Sequence, residues 1–325
     1  MSVSVKPLRS VVPWIAGLGL AILFLLSLVT GVSDMPLSQV FSNPEALQLL
    51  LVSRLPRTLA AILVGAGLAI TGQIMQTLAR NGFVEPSTAG TAQSAELGIL
   101  AVIMLWPAAG LLAKSIVATV AALLGTSLFL MTAHRLPPTQ PYLVPLFGIV
   151  YGGVIGAAVT FIAWQADLMQ YLSIWTSGDF SGVLRGRYEL LWVGAAMLVI
   201  AFAIADRLTI MTLGQDTTTG LGIDYRRMMQ LGLVVVATVS ALSTVVVGMI
   251  PFVGLVVPNI VSRLMGQNLR TTLPLIGISG ALLVLGCDIL GRVIRYPYEI
   301  PVGTVMGCVS GIIFLWLIFR RPAHG

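Results

Sequence analysis

The chain has 325 residues, 57% of them hydrophobic and 9% charged, with a mean hydropathy of +0.97. So few charges cannot build a water-facing surface, which excludes a soluble globular protein and makes a bilayer the solvent. The net charge of +6 contains no arginine-rich tract, so nucleic acid is not a partner, and the basic residues report orientation at span ends instead.

A helix crossing the ~30 Å hydrocarbon core uses about 20 apolar residues, so this length allows roughly ten spans. All lie in a single transmembrane domain covering residues 1–325. Lys6 and Arg9 precede an apolar run over 11–29 that is too long for a signal peptide and has no small-residue cleavage site before Asp34, so it reads as the first span. The following runs are 58–79, 91–106, 111–133, 143–164, 190–206, 228–247, 252–265, 273–291 and 301–319. The 91–106 and 252–265 runs are short, and the second holds Gly254 and Pro258. Kinked or broken helices are expected there.

With a cytoplasmic N-terminus, the inside segments carry Lys6, Arg9, Arg80, Arg135, Arg207, Arg226, Arg227, Arg263, Arg270, Arg320 and Arg321. The outside carries Arg54, Arg57, Lys114, Arg185, Arg187, Arg292 and Arg295. This excess places both termini in the cytoplasm. Glycine recurs at every fourth residue in two runs, as Gly148, Gly152 and Gly156 and as Gly303, Gly307 and Gly311, giving each helix a bare stripe for close packing. The stripes lie five spans apart, and an odd offset reverses direction across the membrane. They therefore point either to an inverted repeat or to ordinary packing at two places.

Ionisable groups inside the runs are few. Asp288 precedes Arg292 by four residues, a spacing that places the two on one helix face as a structural pair, with a proton relay as the alternative. Glu96 either serves the interior or marks the cytoplasmic interface. Cys287 and Cys308 sit in apolar runs as packing residues, and His134 and His324 fall at a span end and the chain terminus, so no metal site is expected. Only two lysines occur and neither follows a glycine, so there is no phosphate-binding G-x-x-x-x-G-K-[ST] loop. H-E-x-x-H and G-x-S-x-G are missing as well. The chain is therefore not read as an enzyme. The polar loop from Arg207 to Arg227 is a candidate docking element.

Several blocks, in order from about residue 50 to the C-terminus, resemble the permeases of the ABC importer family that takes up ferric siderophores, haem and cobalamin. They are Arg54-Leu55-Pro56-Arg57-Thr58, then Arg80-Asn81-Gly82-Phe83-Val84-Glu85-Pro86-Ser87. Next come the Leu213–Gly222 segment and Gly254-Leu255-Val256-Val257-Pro258-Asn259-Ile260 with Arg263. Asp288 to Arg292 and Glu299-Ile300-Pro301-Val302-Gly303 complete the set.

The resemblance implies an all-α, ten-helix inverted-repeat subunit in the bacterial cytoplasmic membrane. Such a subunit pairs around a central path with itself or with a related permease. Two ATPase subunits lie below, and a periplasmic or lipid-anchored binding protein docks from outside. ATP and Mg belong to the ATPase, and this chain holds no cofactor. Arg54, Arg57 and Arg292 match positions that meet acidic groups of the binding protein, with membrane-interface anchoring as the alternative. Leu213, Gly214, Asp216, Thr218, Gly220, Leu221 and Gly222 match the coupling element seated on the ATPase. Asn81 and Phe83 match the inner gate, although Asn81 is equally placed to end a helix. Thr218 stands where relatives usually have alanine, and Asn259 where many have histidine. The Gly82 and Tyr296–Pro301 stretches most resemble ferric-siderophore permeases of the catecholate group. A cobalamin or haem permease is the alternative within the family, and an ion-coupled secondary transporter the alternative outside it.

Overall fold

The computed structural model describes residues 6–31, 44–137, 140 and 142–319. Asp34, Arg320, Arg321 and His324 lie outside the described residues, and the Lys6 and Arg9 side chains are also outside the description. Helix α1 spans Lys6–Val29. Helix α2 (Pro44–Leu49) continues through a π-helical turn, Leu50–Arg54, into α3 (Leu55–Leu78). Then follow α4 (Thr91–Leu105), α5 (Leu111–Ala133), α6 (Leu143–Gln165), α7 (Met169–Ser177), α8 (Leu191–Ala203) and α9 (Ala205–Met211). The last five are α10 (Gln215–Gly220), α11 (Tyr225–Val247), α12 (Val253–Met265), α13 (Leu269–Val293) and α14 (Val302–Phe319). No strand occurs among the described residues.

Each apolar run of the sequence falls on a helix or a bent pair, but among the described residues six helical stretches are long and apolar enough to cross a membrane by themselves. These are α1, α2 with α3, α5, α6, α11 and α13. The 190–206 run is a pair, α8 and α9, bent by 62°. The two runs expected to be short are so, as α4 and α12, and α14, read from the sequence as a full span, is a shorter apolar helix as well.

Burial separates two kinds of span. In α3 and α11 the apolar windows are 67% and 72% buried, against 6% in α1 and 22% in α6. The first two form the interior. The others present residues such as Trp14, Leu18, Val154 and Phe161 outward, as hydrocarbon-facing helices do. Helix α3 meets its neighbours without intervening side chains. A Cβ on Gly65 would stand 2.5 Å from Gly280 O of α13, and one on Gly72 would overlap the backbone of Gly254 in α12. Dispersion contacts at such crossings replace the hydrophobic drive that lipid removes. Asn268 starts α13 by accepting from the Arg270 N–H through its side chain, and Asp224 does the same for α11 through the Arg227 N–H. Both are N-caps that satisfy donors a helix leaves open.

Candidate functional site

At one end of the bundle the chain leaves α9, forms α10 and returns in α11. Gly214 and Gly222 flank α10 with φ of +106° and +78°, backbone angles that favour glycine. Leu213 and Leu221 are 63% and 60% exposed, and Asp216 and Gly220 are exposed with them. Thr218 is fully buried beneath them. Its hydroxyl donates to Gly214 O at 2.6 Å, and its carbonyl accepts from Ile223 N. Thr218 thus roots α10 while Leu213 and Leu221 project on either side of it. Exposed leucines on a polar loop form a surface suited to an apolar partner recess.

Beside this loop, α3 ends in a Schellman turn. Arg80 takes the left-handed position (φ +49°), Asn81 N donates to Gln76 O, and Arg80 N donates to Thr77 O. Asn81 is buried, and its Oδ1 accepts from Phe83 N at 2.9 Å. Asn81 therefore has the helix-ending geometry. Phe83, by contrast, is 49% exposed and its ring stands edge-on to Phe314 of α14, centroids 6.2 Å apart. Asn259, the residue at the histidine position, donates to Gly82 O and to Leu255 O at 2.7 Å each, tying the Phe83 loop to α12. Arg80 lies over the Tyr225 ring at the base of α11, 5.6 Å from its centroid. A polar cavity of about 280 Å³ lies alongside, walled by Gln73, Gln76, Asn81, Asn259, Ser262 and Gln267.

At the opposite end, the three arginines of the first and last sequence blocks turn inward. Arg54 and Arg292 are each 6% exposed. Arg54 donates to the carbonyls of Leu28 and Val29, and Arg292 to those of Ser27 and Thr30 and to the Ser27 hydroxyl. Together they satisfy the carbonyls that the end of α1 leaves open. The Asp288–Arg292 pair expected from the four-residue spacing forms, with Nη2 2.7 Å from Oδ2. Arg57 joins it, donating to Asp288 Oδ1 at 2.8 Å and to Glu299 Oε2 at 2.8 Å. The arginines and Glu299 also wall a recess of about 450 Å³.

The model of the FecCD transport family matches residues 19–320. The chain belongs to that family. The petrobactin import system permease protein YclN of Bacillus subtilis is 41% identical over 306 residues, covering 94% of this chain and 97% of the relative. The ferric-anguibactin transport system permease protein FatD of Vibrio anguillarum is 37% identical, covering 86% and 88%. The vitamin B12 import system permease protein BtuC of Klebsiella pneumoniae is 33% identical, covering 96% and 95%. Among solved structures, an ABC transporter of the metal-chelate type in an inward-facing conformation shares the fold at 22% identity, with a TM-score of 0.81 over 95% of this chain and 98% of the other.

The glycine stripes of this FecCD-family permease play unequal parts. Gly148, Gly152 and Gly156 face Thr88, Gly90 and Gln93 respectively, so the α6 stripe lies along the start of α4. On α14, Gly303 packs on Ser177 O, but Gly307 and Gly311 face open space. Of the cysteines, Cys287 is buried and Cys308 exposed. His134 Nε2 lies 3.0 Å from Leu78 O, and no metal-binding cluster occurs among the described residues.

Sequence reasoning missed Glu85. Buried to 2% exposure, it accepts from the Phe252 N–H at 2.9 Å and from the Ser87 hydroxyl, so its carboxyl group sits at the N-terminus of α12. Phe252 holds a left-handed φ of +67° to start that helix. A helix beginning inside the bundle needs an acceptor for its open N–H groups, and Glu85 supplies it from a site 167 residues distant in sequence. The one available signal was an acidic residue after an apolar run, and nothing in it pointed to residue 252.

Proposed function

We propose that the chain is the membrane permease of an ATP-driven importer that carries a ferric siderophore, of the catecholate class, across the bacterial cytoplasmic membrane. Its ten apolar runs form ten crossings, with both termini on the cytoplasmic side, where the excess of basic residues lies. The observation that carries this reading is α10, two exposed leucines on a buried threonine root, at the cytoplasmic end. ATPase subunits holding ATP and Mg seat on Leu213, Gly214, Asp216, Gly220, Leu221 and Gly222. Support for an iron-chelate cargo comes from relatives named for petrobactin and ferric anguibactin, and a vitamin B12 permease marks the alternative cargo.

A second permease, a related chain or another copy, completes the path, and a substrate-binding protein docks at the opposite end. There Arg54, Arg57 and Arg292, held by the carbonyls of α1 and by Asp288 and Glu299, serve docking by fixing the walls of the 450 Å³ recess and not by pairing with acidic side chains of the partner. Phe83 closes the cytoplasmic exit by bulk and swings clear when α14, carrying Phe314, moves. Asn81 fixes the hinge of that loop.

Uptake of iron-loaded catecholate siderophore by cells lacking this chain tests the reading. Wild type restores uptake, whereas Gly220→Asp with Leu221→Asp, expressed to the same level, does not. Equal transport by the double variant removes α10 from coupling. Failure of wild type to restore uptake rejects the siderophore and makes vitamin B12 the next cargo.

A further inference from the structure

A cavity of about 380 Å³ lies between the start of α4, the glycine stripe of α6 and the base of α7, within the size range of small-molecule sites. Its walls hold two oxygen acceptors with no donor. Glu96, 3% exposed, has Oε1 without a hydrogen-bond partner, and so has the enclosed Oε1 of Gln93 one helical turn earlier. Sequence reading allowed Glu96 a place at the cytoplasmic interface. The structure sets it in the second turn of α4, five residues after Thr91 and nine before Leu105, buried inside the bundle.

The hydroxyls around the cavity do not supply the missing protons. Thr88 donates to Glu85 O, Thr160 to Gly156 O, Thr176 to Leu172 O and Ser87 to the Glu85 carboxylate. Each hydroxyl proton is therefore spent on the chain; Thr88 Oγ1 also accepts from the Glu85 N–H, and the lone pairs of Ser87, Thr160 and Thr176 remain on offer. Gln93 Nε2 turns to the Met249 sulfur, 3.9 Å away. No lysine, arginine or histidine lines the cavity, so none of the described residues around it provides a cation for Glu96. A pocket dominated by acceptors, with a carboxylate at low dielectric, favours a ligand that both donates hydrogen bonds and carries positive charge.

We propose that Glu96 and Gln93 form a binding site for a protonated alkylamine group inside the membrane domain. The site goes beyond the import reading and does not depend on it. In an importer it favours cargo bearing a free amine over the acylated counterpart.

The test uses the full chain, purified in detergent, and follows its thermal unfolding by tryptophan fluorescence with two probes at equal ionic strength. Butylammonium chloride is charged and donates N–H bonds. Tetramethylammonium chloride is charged and cannot donate. In wild type, butylammonium raises the midpoint by several degrees relative to tetramethylammonium. Glu96→Gln abolishes that difference, and Gln93→Leu at least halves it. Equal shifts from the two salts in wild type overturn the proposal. A butylammonium shift of wild-type size in both variants does so as well. Should Glu96→Gln fail to yield monodisperse protein, Gln93→Leu alone decides by the same criterion.

Discussion

Asp288 and Glu96 are both carboxylates inside apolar helices, 0% and 3% exposed, and the fold treats them in opposite ways. Asp288 lies between two guanidinium groups, Arg57 and Arg292, with Glu299 extending the network; its Oδ2 has no well-aligned hydrogen bond but is ion-paired 2.7 Å from Arg292 Nη2. Among the described residues, Glu96 has no cationic neighbour and an oxygen with no donor. Glu85 stands between them, its carboxyl group matched by helix-end N–H groups and a hydroxyl instead of by a cation. A buried charge that is internally matched holds structure together, whereas one left unmatched is available to a ligand.

Breaking the matched network has the largest effect. Asp288→Ala leaves Arg57 and Arg292 as adjacent buried cations with Glu299 as the remaining carboxylate, and costs about 3–5 kcal/mol. The check is the unfolding midpoint of the purified protein, with Asp288→Ala plus Arg292→Met expected to recover part of the loss. An unchanged midpoint in the single variant would show that the network is not structural. Glu85→Ala is intermediate. It strands the Phe252 N–H at a cost of about 1–3 kcal/mol, and hydrogen exchange in the first turn of α12 should rise while that in α5 stays constant. Glu96→Leu sharpens the contrast by its sign. Removing an acceptor that has no donor leaves stability unchanged or raises it by about 1 kcal/mol, and a clear drop in midpoint would mean that Glu96 already has an internal role.

The helices were legible in the sequence because hydrocarbon demands long apolar runs, and every such run became helical. The Asp288–Arg292 pair was legible too, since a four-residue spacing on one helix needs no tertiary information. What could not be read was anything joining distant segments. Arg57 meets Asp288 across 231 residues, and Glu85 meets Phe252 across 167. The glycine stripes drew attention to α6 and α14, where Gly148 and Gly303 do meet backbone, but equally close crossings at Gly65, Gly72, Gly254 and Gly280 of α3, α12 and α13 lie outside the stripes. Spacing marks a bare face, but which face finds a partner is a tertiary matter. The exposed α10 leucines were visible as residues, whereas the buried hydroxyl beneath them appears only in three dimensions.

The backbone contact between Gly72 and Gly254 sets the mechanical character of the permease. Where side chains separate two helices, rotamer changes absorb small displacements. Here the main chains touch, so α3 and α12 behave as one stiff strut at that point. One end of the strut carries Arg57 and its ion network, and the other carries Gln76, Asn81 and, through Asn259, the tether of the Phe83 loop. A tilt imposed at either membrane surface therefore reaches the other with little loss in between.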